Sequence, residues 1–209
     1  MAYIISGFCR IKVEPSQPDF VSIETAEGKE LVKNDPAALY SHLGLEYPKY
    51  FKMDTLSKYG ILAAEKIIKK RDIKAAYLDT DIGIVISNAS GSLDTDIEFQ
   101  KTITNKENFF PSPAIFVYTL SNIVMGEICI KYKIKGENMF FLSESIQAEL
   151  LKSYTVQLFN KKTIKAALVG WIDYSQGKPD VLLVLVEQGL GNNSSEIEFT
   201  ARQIELLYR

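Results

Sequence analysis

Histidine and cysteine are nearly missing here: 209 residues contain one histidine, His42, and two cysteines, Cys9 and Cys129. A single histidine and no clustered thiols exclude the usual spacings of a metal centre, and no metal or cofactor is expected. Each cysteine sits inside an apolar stretch, which predicts two buried small hydrophobes and no disulfide framework. Long basic runs are absent too, and the formal net charge is -2. Nothing recruits nucleic acid or an anionic membrane by electrostatics. The N-terminus, Met1 to Ser6, has no basic lead before its apolar residues and no cleavage pattern. The longest apolar stretch, Ala114 to Ile130, is broken by Ser121, Asn122 and Glu127, which predicts a buried helix and no membrane span. A reduced, cytoplasmic protein is expected.

What is present is ordinary globular material: 46% hydrophobic and 24% charged residues, with 11 Tyr and 11 Phe. The aromatics fall within apolar runs and read as core. The length fits one domain with a sizeable core, or at most two small ones; a single domain over 1–209 is the reading adopted.

Residues 2–12 are β-branched and aromatic enough for an opening strand. The segment Val13 to Lys52 carries four of the seven prolines and reads as loop and short helix, with Asp35-Pro36 starting a helix at Ala37. A clear amphipathic helix follows from Thr55 to about Lys70, capped by Asp54 or Thr55. Residues 82–87 form a continuous apolar run, the pattern of a strand buried on both faces. After a polar turn at Asn88 to Ser92, Ser112-Pro113 opens a long helix reaching about Tyr132. Then come a strand at 139–143, a helix from about Ser145 to Asn160, and strands at 164–174 and 181–187. The tail shows a Ser195/Glu198 capping pattern ahead of a short helix. Strands alternating with helices, then two strands joined by a tight turn, imply an α/β fold. Its sheet should be mostly parallel, with helices on both faces and an antiparallel edge strand.

Several segments carry a family resemblance. Ser112-Pro113 leads through Thr119-Leu120-Ser121-Asn122 to Gly126-Glu127, then Tyr132 to Gly136. Upstream stands Met53-Asp54-Thr55-Leu56-Ser57, and downstream Ala166-Ala167-Leu168-Val169-Gly170-Trp171. In this order and spacing they resemble the N-terminal half of a β-ketoacyl-(acyl carrier protein) synthase, of the thiolase-like fold. That resemblance implies a five-stranded mixed sheet, order 3-2-1-4-5, with strand 139–143 at an edge.

In active ketosynthases the strand after the closing glycine delivers a cysteine onto a helix N-terminus, where the thiol pKa is lowered. The equivalent position here is Glu144 or Ser145, and no cysteine stands there. A serine nucleophile needs a base, yet the family's histidines come from a C-terminal half with no counterpart in these residues. A Ser145–His42 pair has no motif behind it. Helix capping explains Ser143, Glu144 and Ser145 more economically.

An exposed Met139-Phe140-Phe141-Leu142 edge is an aggregation hazard unless paired or covered. In the thiolase family this strand pairs across a two-fold axis. The resemblance therefore implies a dimer through residues 138–145 and the helix 112–131, with Asn122, Gly126, Met139, Phe140, Phe141 and Leu142 in the interface. Asn122 and Gly126 share a helix face, and the glycine either admits a close neighbour or relieves crowding.

The partner is either a second copy or a full-length ketosynthase, with an acyl carrier protein as a further candidate. The leading functional expectation is a catalytically silent auxiliary subunit of fatty acid, polyketide or aryl-polyene-type biosynthesis, akin to a chain-length-factor-type partner. Two alternatives stand beside it. One is an acyltransferase or noncanonical 3-oxoacyl-(acyl carrier protein) synthase using Ser145. The other is a non-catalytic acyl-carrier or lipid binding module, for which Lys66, Lys69, Lys70 and Arg71 could supply a basic patch.

Overall fold

The computed structural model describes residues 2–189 and 197–209. The chain opens with an antiparallel meander of β1 (Tyr3–Glu14), β2 (Gln17–Thr25) and β3 (Gly28–Lys33), followed by α1 (Pro36–His42). Next come α2 (Thr55–Arg71), the short α3 (Ile73–Ala76), β4 (Ile82–Asn88) and α4 (Leu93–Thr104). Then follow α5 (Pro113–Phe116), α6 (Ile123–Tyr132), β5 (Asn138–Leu142) and α7 (Ala148–Asn160). The hairpin of β6 (Ala166–Ser175) and β7 (Lys178–Gln188), the two-residue β8 (Ile197–Glu198) and α8 (Ala201–Tyr208) complete it.

The strands form one mixed sheet, ordered β3-β2-β1-β7-β6-β4-β5, with β8 on β1. β4 pairs parallel with β5 and β6, whereas β7 is antiparallel to both β6 and β1. Side chains alternate between two cores, as a strand period of two requires. On β4, Ile82, Ile84 and Ile86 face α2 and α6, while Val85 faces α7. On β7, Val181, Leu183 and Leu185 point to the first core and Leu182, Val184 and Val186 to the second. Helices thus cover both faces, as expected for this α/β class. Each fully buried Leu or Ile contributes about 1.5–3 kcal/mol by leaving water, so these two rows form the main driving force.

The five-stranded order 3-2-1-4-5 is corrected in two respects. β1 lies beyond β7, not between β4 and β6, so β7 is interior rather than an edge. The physical reason is visible in Val181 to Glu187, every one of them buried. A strand apolar on both faces is stable where neighbours satisfy both of its edges. The second correction is the β2–β3 hairpin, placed in a segment expected to be loop. Pro18 suggested against a strand, but it falls where the β1–β2 register slips between Val13 and Glu14, a bulge that needs no donor there.

The expected long helix 112–132 is also broken. α5 passes into a 3-10 turn at Val117–Thr119, and the axis bends by 101° before α6. Thr119 turns its carbonyl to the Ser92 hydroxyl, which donates to it at 2.5 Å, instead of continuing the helical ladder. Among the described residues, no single helix is long and apolar enough to cross a membrane. α4 fills the stretch between the 88–92 turn and Ser112, where the sequence pattern assigns no element. At the tail, Ser195 lies outside the described residues; α8 is capped by Thr200, whose side chain accepts from the Gln203 amide.

α2 matches its expected span, and Asp54 is its cap, accepting from the Ser57 amide. Cys9 is fully buried and Cys129 partly so, and burial pushes their thiols up to about 12 and about 11. Both are protonated and inert at neutral pH.

Two carboxylates, the partly buried Glu65 and the buried Glu187, tie elements together. Glu65 accepts from Lys131 at 2.6 Å and from the Tyr132 hydroxyl at 2.5 Å, joining α2 to α6. Glu187 accepts from Arg71 at 3.0 Å and Tyr77 at 2.8 Å. Burial pushes both carboxyls up, but these hydrogen bonds outweigh it and hold both below the usual 4.5. Their ionised forms stabilise the fold above that value, and the contribution is lost as pH falls through their lowered values. Asp54 acts in the opposite sense: burial raises it, so its penalty exists at neutral pH and is relieved by protonation. Glu14, Glu30, Asp79 and Glu149 are also held low by basic or hydroxyl partners, so against the raised Asp54 the lowered carboxyls prevail and urea midpoints should fall between about pH 6 and about pH 3. A Glu65→Gln/Glu187→Gln variant should show a shallower dependence over that range; an unchanged slope would refute the assignment.

Candidate functional site

Glu144 and Ser145, the positions that the family resemblance assigns to the nucleophile, lie in the loop between β5 and α7. The Ser143 amide donates to the Asn88 carbonyl at 3.0 Å, fixing where the chain leaves β5 beside the end of β4. The Ser143 hydroxyl donates to the Ser145 carbonyl at 2.9 Å. The Gln147 amide group donates to the same carbonyl and to the Ser145 hydroxyl oxygen, both at 3.3 Å. Glu144 and Ser145 are exposed.

The capping role expected for Ser143, Glu144 and Ser145 is corrected. α7 starts only at Ala148, its N-cap is Gln147, and no side chain caps it. Two residues, Ile146 and Gln147, separate Ser145 from the helix, and its hydroxyl engages a local turn instead of the helical amides.

His42 is elsewhere. It belongs to α1, and its Nε2 lies 2.6 Å from Glu30 Oε2 on β3. β3 and β5 are opposite edges of the main strand order, six strand spacings apart. At ~4.8 Å per spacing that is roughly 29 Å, so His42 cannot serve Ser145 within one chain.

Around this junction the surface is apolar to an unusual degree. Leu142 is 60% exposed, and a Cβ on Gly91 would come within 4 Å of both Leu142 and Ser121. Leu120, Val117 and Phe116 are each at least half exposed, and Phe116 packs on Phe99 of α4 at 5.2 Å between centroids. Leu93 and Ile97, one turn apart, extend the surface along α4, and Phe110 extends it beyond the helix end. A contiguous patch of this kind marks an interaction surface. Beside it runs the outer edge of β5, which has β4 on one side and no strand on the other among the described residues.

Met139 and Phe141 lean towards the α7 core and Phe140 towards the α2/α6 core, all partly buried. Of these four strand residues Leu142 carries the most exposed side chain, while the strand offers its backbone edge. Asn122 is exposed, and a Cβ on Gly126 would meet nothing within 4 Å. Gly126 therefore relieves no crowding inside this chain. The close helix crossing belongs to Gly60 of α2, where an added Cβ would sit 2.3 Å from Val124 of α6. Sequence reasoning missed Gly60 and the α4 face; the Leu93/Ile97 pair at i, i+4 was the available signal for the latter.

Glu127, a polar break in the apolar stretch, is buried and satisfied. It accepts from the Tyr118 hydroxyl at 3.0 Å and Lys49 at 2.6 Å, holding α6 against the preceding 3-10 turn. The Met53-Asp54 segment lines a polar cavity of about 280 Å³ between α2 and α4, where Thr95 also donates to Asp54 at 3.3 Å. The basic cluster at the end of α2 is largely matched internally: Lys66 pairs with Glu30, Lys70 with Glu27 and Arg71 with Glu187.

The site thus sits at a strand-to-helix junction at the parallel end of a mixed sheet between two helical layers. No protein-family model and no curated protein matches this sequence. Among solved structures, the chain is similar to the ishigamide ketosynthase/chain length factor, with a TM-score of 0.65 and 17% identity over 92% of this chain. It is also similar to the AntDE ketosynthase in complex with its acyl-carrier protein AntF, with a TM-score of 0.59 and 13% identity over 90% of this chain. A third is the complex of the ketosynthase ApeO with its chain length factor ApeC from Xenorhabdus doucetiae, with a TM-score of 0.60, 14% identity and 100% coverage. The chain spans 64% and 63% of the length of the first two matched chains and 90% of the third.

Proposed function

We propose that this chain is a catalytically silent, ketosynthase-like auxiliary subunit of fatty acid, polyketide or aryl-polyene-type biosynthesis. It pairs with a cysteine-bearing ketosynthase through the β5 edge and the α4–α6 face. The observation that carries the proposal is the 143–147 junction. The nucleophile position holds an exposed Glu144 or Ser145, detached from the helix N-terminus and far from the chain's one histidine. Without a base or helical amides at the hydroxyl, acyl transfer has neither an activated nucleophile nor an oxyanion site. The solved neighbours are ketosynthases in complex with a chain length factor or an acyl-carrier protein, which supports a partner role for a chain that shares their fold.

The test is affinity capture of the tagged chain from its native host, read by mass spectrometry. Recovery of a cysteine-containing ketosynthase in equal amount is expected. Ser145→Ala should leave both that pairing and the condensation rate of the pair unchanged, and the purified chain should take no label from an acyl thioester. Stoichiometric acylation abolished by Ser145→Ala would instead establish the acyltransferase alternative.

A further inference from the structure

The apolar face is flanked by carboxylates with no cation of their own. Residues 93–120 and 138–147 hold five carboxylates against two lysines, a net charge of -3, whereas the rest of the chain is close to neutral. Asp96, Glu98, Glu107 and Glu144 are exposed, and none has a lysine or arginine within ion-pair distance among the described residues. Elsewhere the carboxylates are of both kinds: Glu27, Glu30, Asp79, Asp81 and Glu187 are each paired with a basic group, whereas Asp19, Glu46, Asp72, Glu137, Glu198 and Glu205 are not, so the net charge is what sets this surface apart. The exposed acids lie on and just beyond α4 and just after β5, on or next to the elements that carry Leu93, Ile97 and Leu142.

We infer that this surface selects a partner whose matching face is rimmed by lysine or arginine, and that it rejects a second copy of this chain. The inference rests on the pairing proposed above and decides between its two forms. In a two-fold symmetric self-contact each copy presents the same patch, so two sets of unmatched carboxylates would be brought together. Like charges at an interface rim suppress association, opposite charges accelerate it, and salt weakens both effects. The apolar residues and the free strand edge supply adhesion, while the acidic rim supplies the choice of partner.

A charge-swapped copy of this chain is the probe. Glu98, Glu107 and Glu144 make no side-chain hydrogen bond within the chain, so Glu98→Lys/Glu107→Lys/Glu144→Lys should fold normally. Sedimentation velocity is run on wild type, variant and an equimolar mixture at about 50 mM and about 500 mM salt. The expected result is a mixture associating at least about tenfold more tightly than either protein alone at low salt, with the difference collapsing at high salt. Wild type that self-associates as tightly as the mixture, association indifferent to salt, or a mixture that stays monomeric at low salt would overturn the charge selection. Leu142→Lys in both chains separates the two claims. If it leaves the mixed association intact, the contact runs elsewhere and the proposed pairing face falls. If it abolishes a salt-indifferent association, the face stands and only the charge selection is lost.

Discussion

Replacing Arg10 with alanine is expected to destabilise the chain by about 3 kcal/mol, the cost of leaving buried carbonyl acceptors without their charged donor. Arg10 stands in β1 with almost no exposed surface, where its NH1 lies 2.7 Å from Asp180 Oδ1. The same nitrogen donates to the carbonyls of Ile11 and Val181, at 3.2 and 3.1 Å, and Nε donates to the Tyr208 carbonyl at 2.7 Å. Its guanidinium lies 4.5 Å from the centroid of the Tyr208 ring, and the Tyr208 hydroxyl donates to Asp180 at 2.5 Å. The last carbonyls of α8 have no helical partner. Arg10 takes one, and Lys12 donates to the Arg209 carbonyl at 2.6 Å.

Truncation would leave the Val181 and Tyr208 carbonyls without this donor and release α8, which covers the second core with Ile204 and Leu207. For a chain of this size the loss corresponds to roughly 6–12 °C in melting temperature. Arg10→Lys should fall between, because an ammonium cannot reproduce the fork. Trp171, the sole tryptophan, meets the Tyr208 ring edge-on at 6.5 Å, so its fluorescence reports α8 docking independently of the global melt. A variant melting within about 1 °C of wild type, with unchanged Trp171 emission, would show that α8 is held by apolar contact alone.

Sequence pattern disclosed the strands whose composition is one-sided and hid those whose pairing is decided at a distance. β4 and α2 were legible because an all-apolar run and a 3.6-residue stripe each have one plausible structural meaning. The apolar run in β7 was legible as a strand, but its position depended on β1 returning from the far end of the chain, which no local pattern encodes. β2 and β3 were obscured by Pro15 and Pro18, since a proline in a bulge looks in sequence like a proline in a loop. The candidate site divides in the same way. The absence of cysteine at 144–145 is a fact of composition, and the edge position of β5 followed from the family resemblance. The separation of Ser145 from His42 needed the strand order, and the apolar surface needed the bend at Thr119 that brings Ser121 up to Gly91 and Leu142. Arg10 was not legible at all, because one arginine in a β-branched strand gives no sign that its partners lie about 170 to 200 residues away.

The second large effect concerns pairing, not folding. Leu120→Asp/Leu142→Asp should leave the isolated chain nearly as stable as wild type. Both side chains are more than half exposed, and surface changes of this kind stay within about 0.5 kcal/mol each. Association with the proposed ketosynthase partner should weaken by on the order of 100-fold, because each substitution removes an apolar anchor and buries a carboxylate in its place. Co-purification with the captured partner and the melting curve of the free chain are the two readouts, and their combination is decisive. Loss of pairing with an unchanged melt places the contact on this face. Retained pairing would mean that the partner uses another surface, and the exposed edge of β5 would then need a different cover. Loss of both would make Leu120 and Leu142 part of the intrachain core, contrary to their exposure. The apolar patch is thus a claim about association that folding measurements can separate from stability, because the residues that carry it contribute so little to the chain's own core.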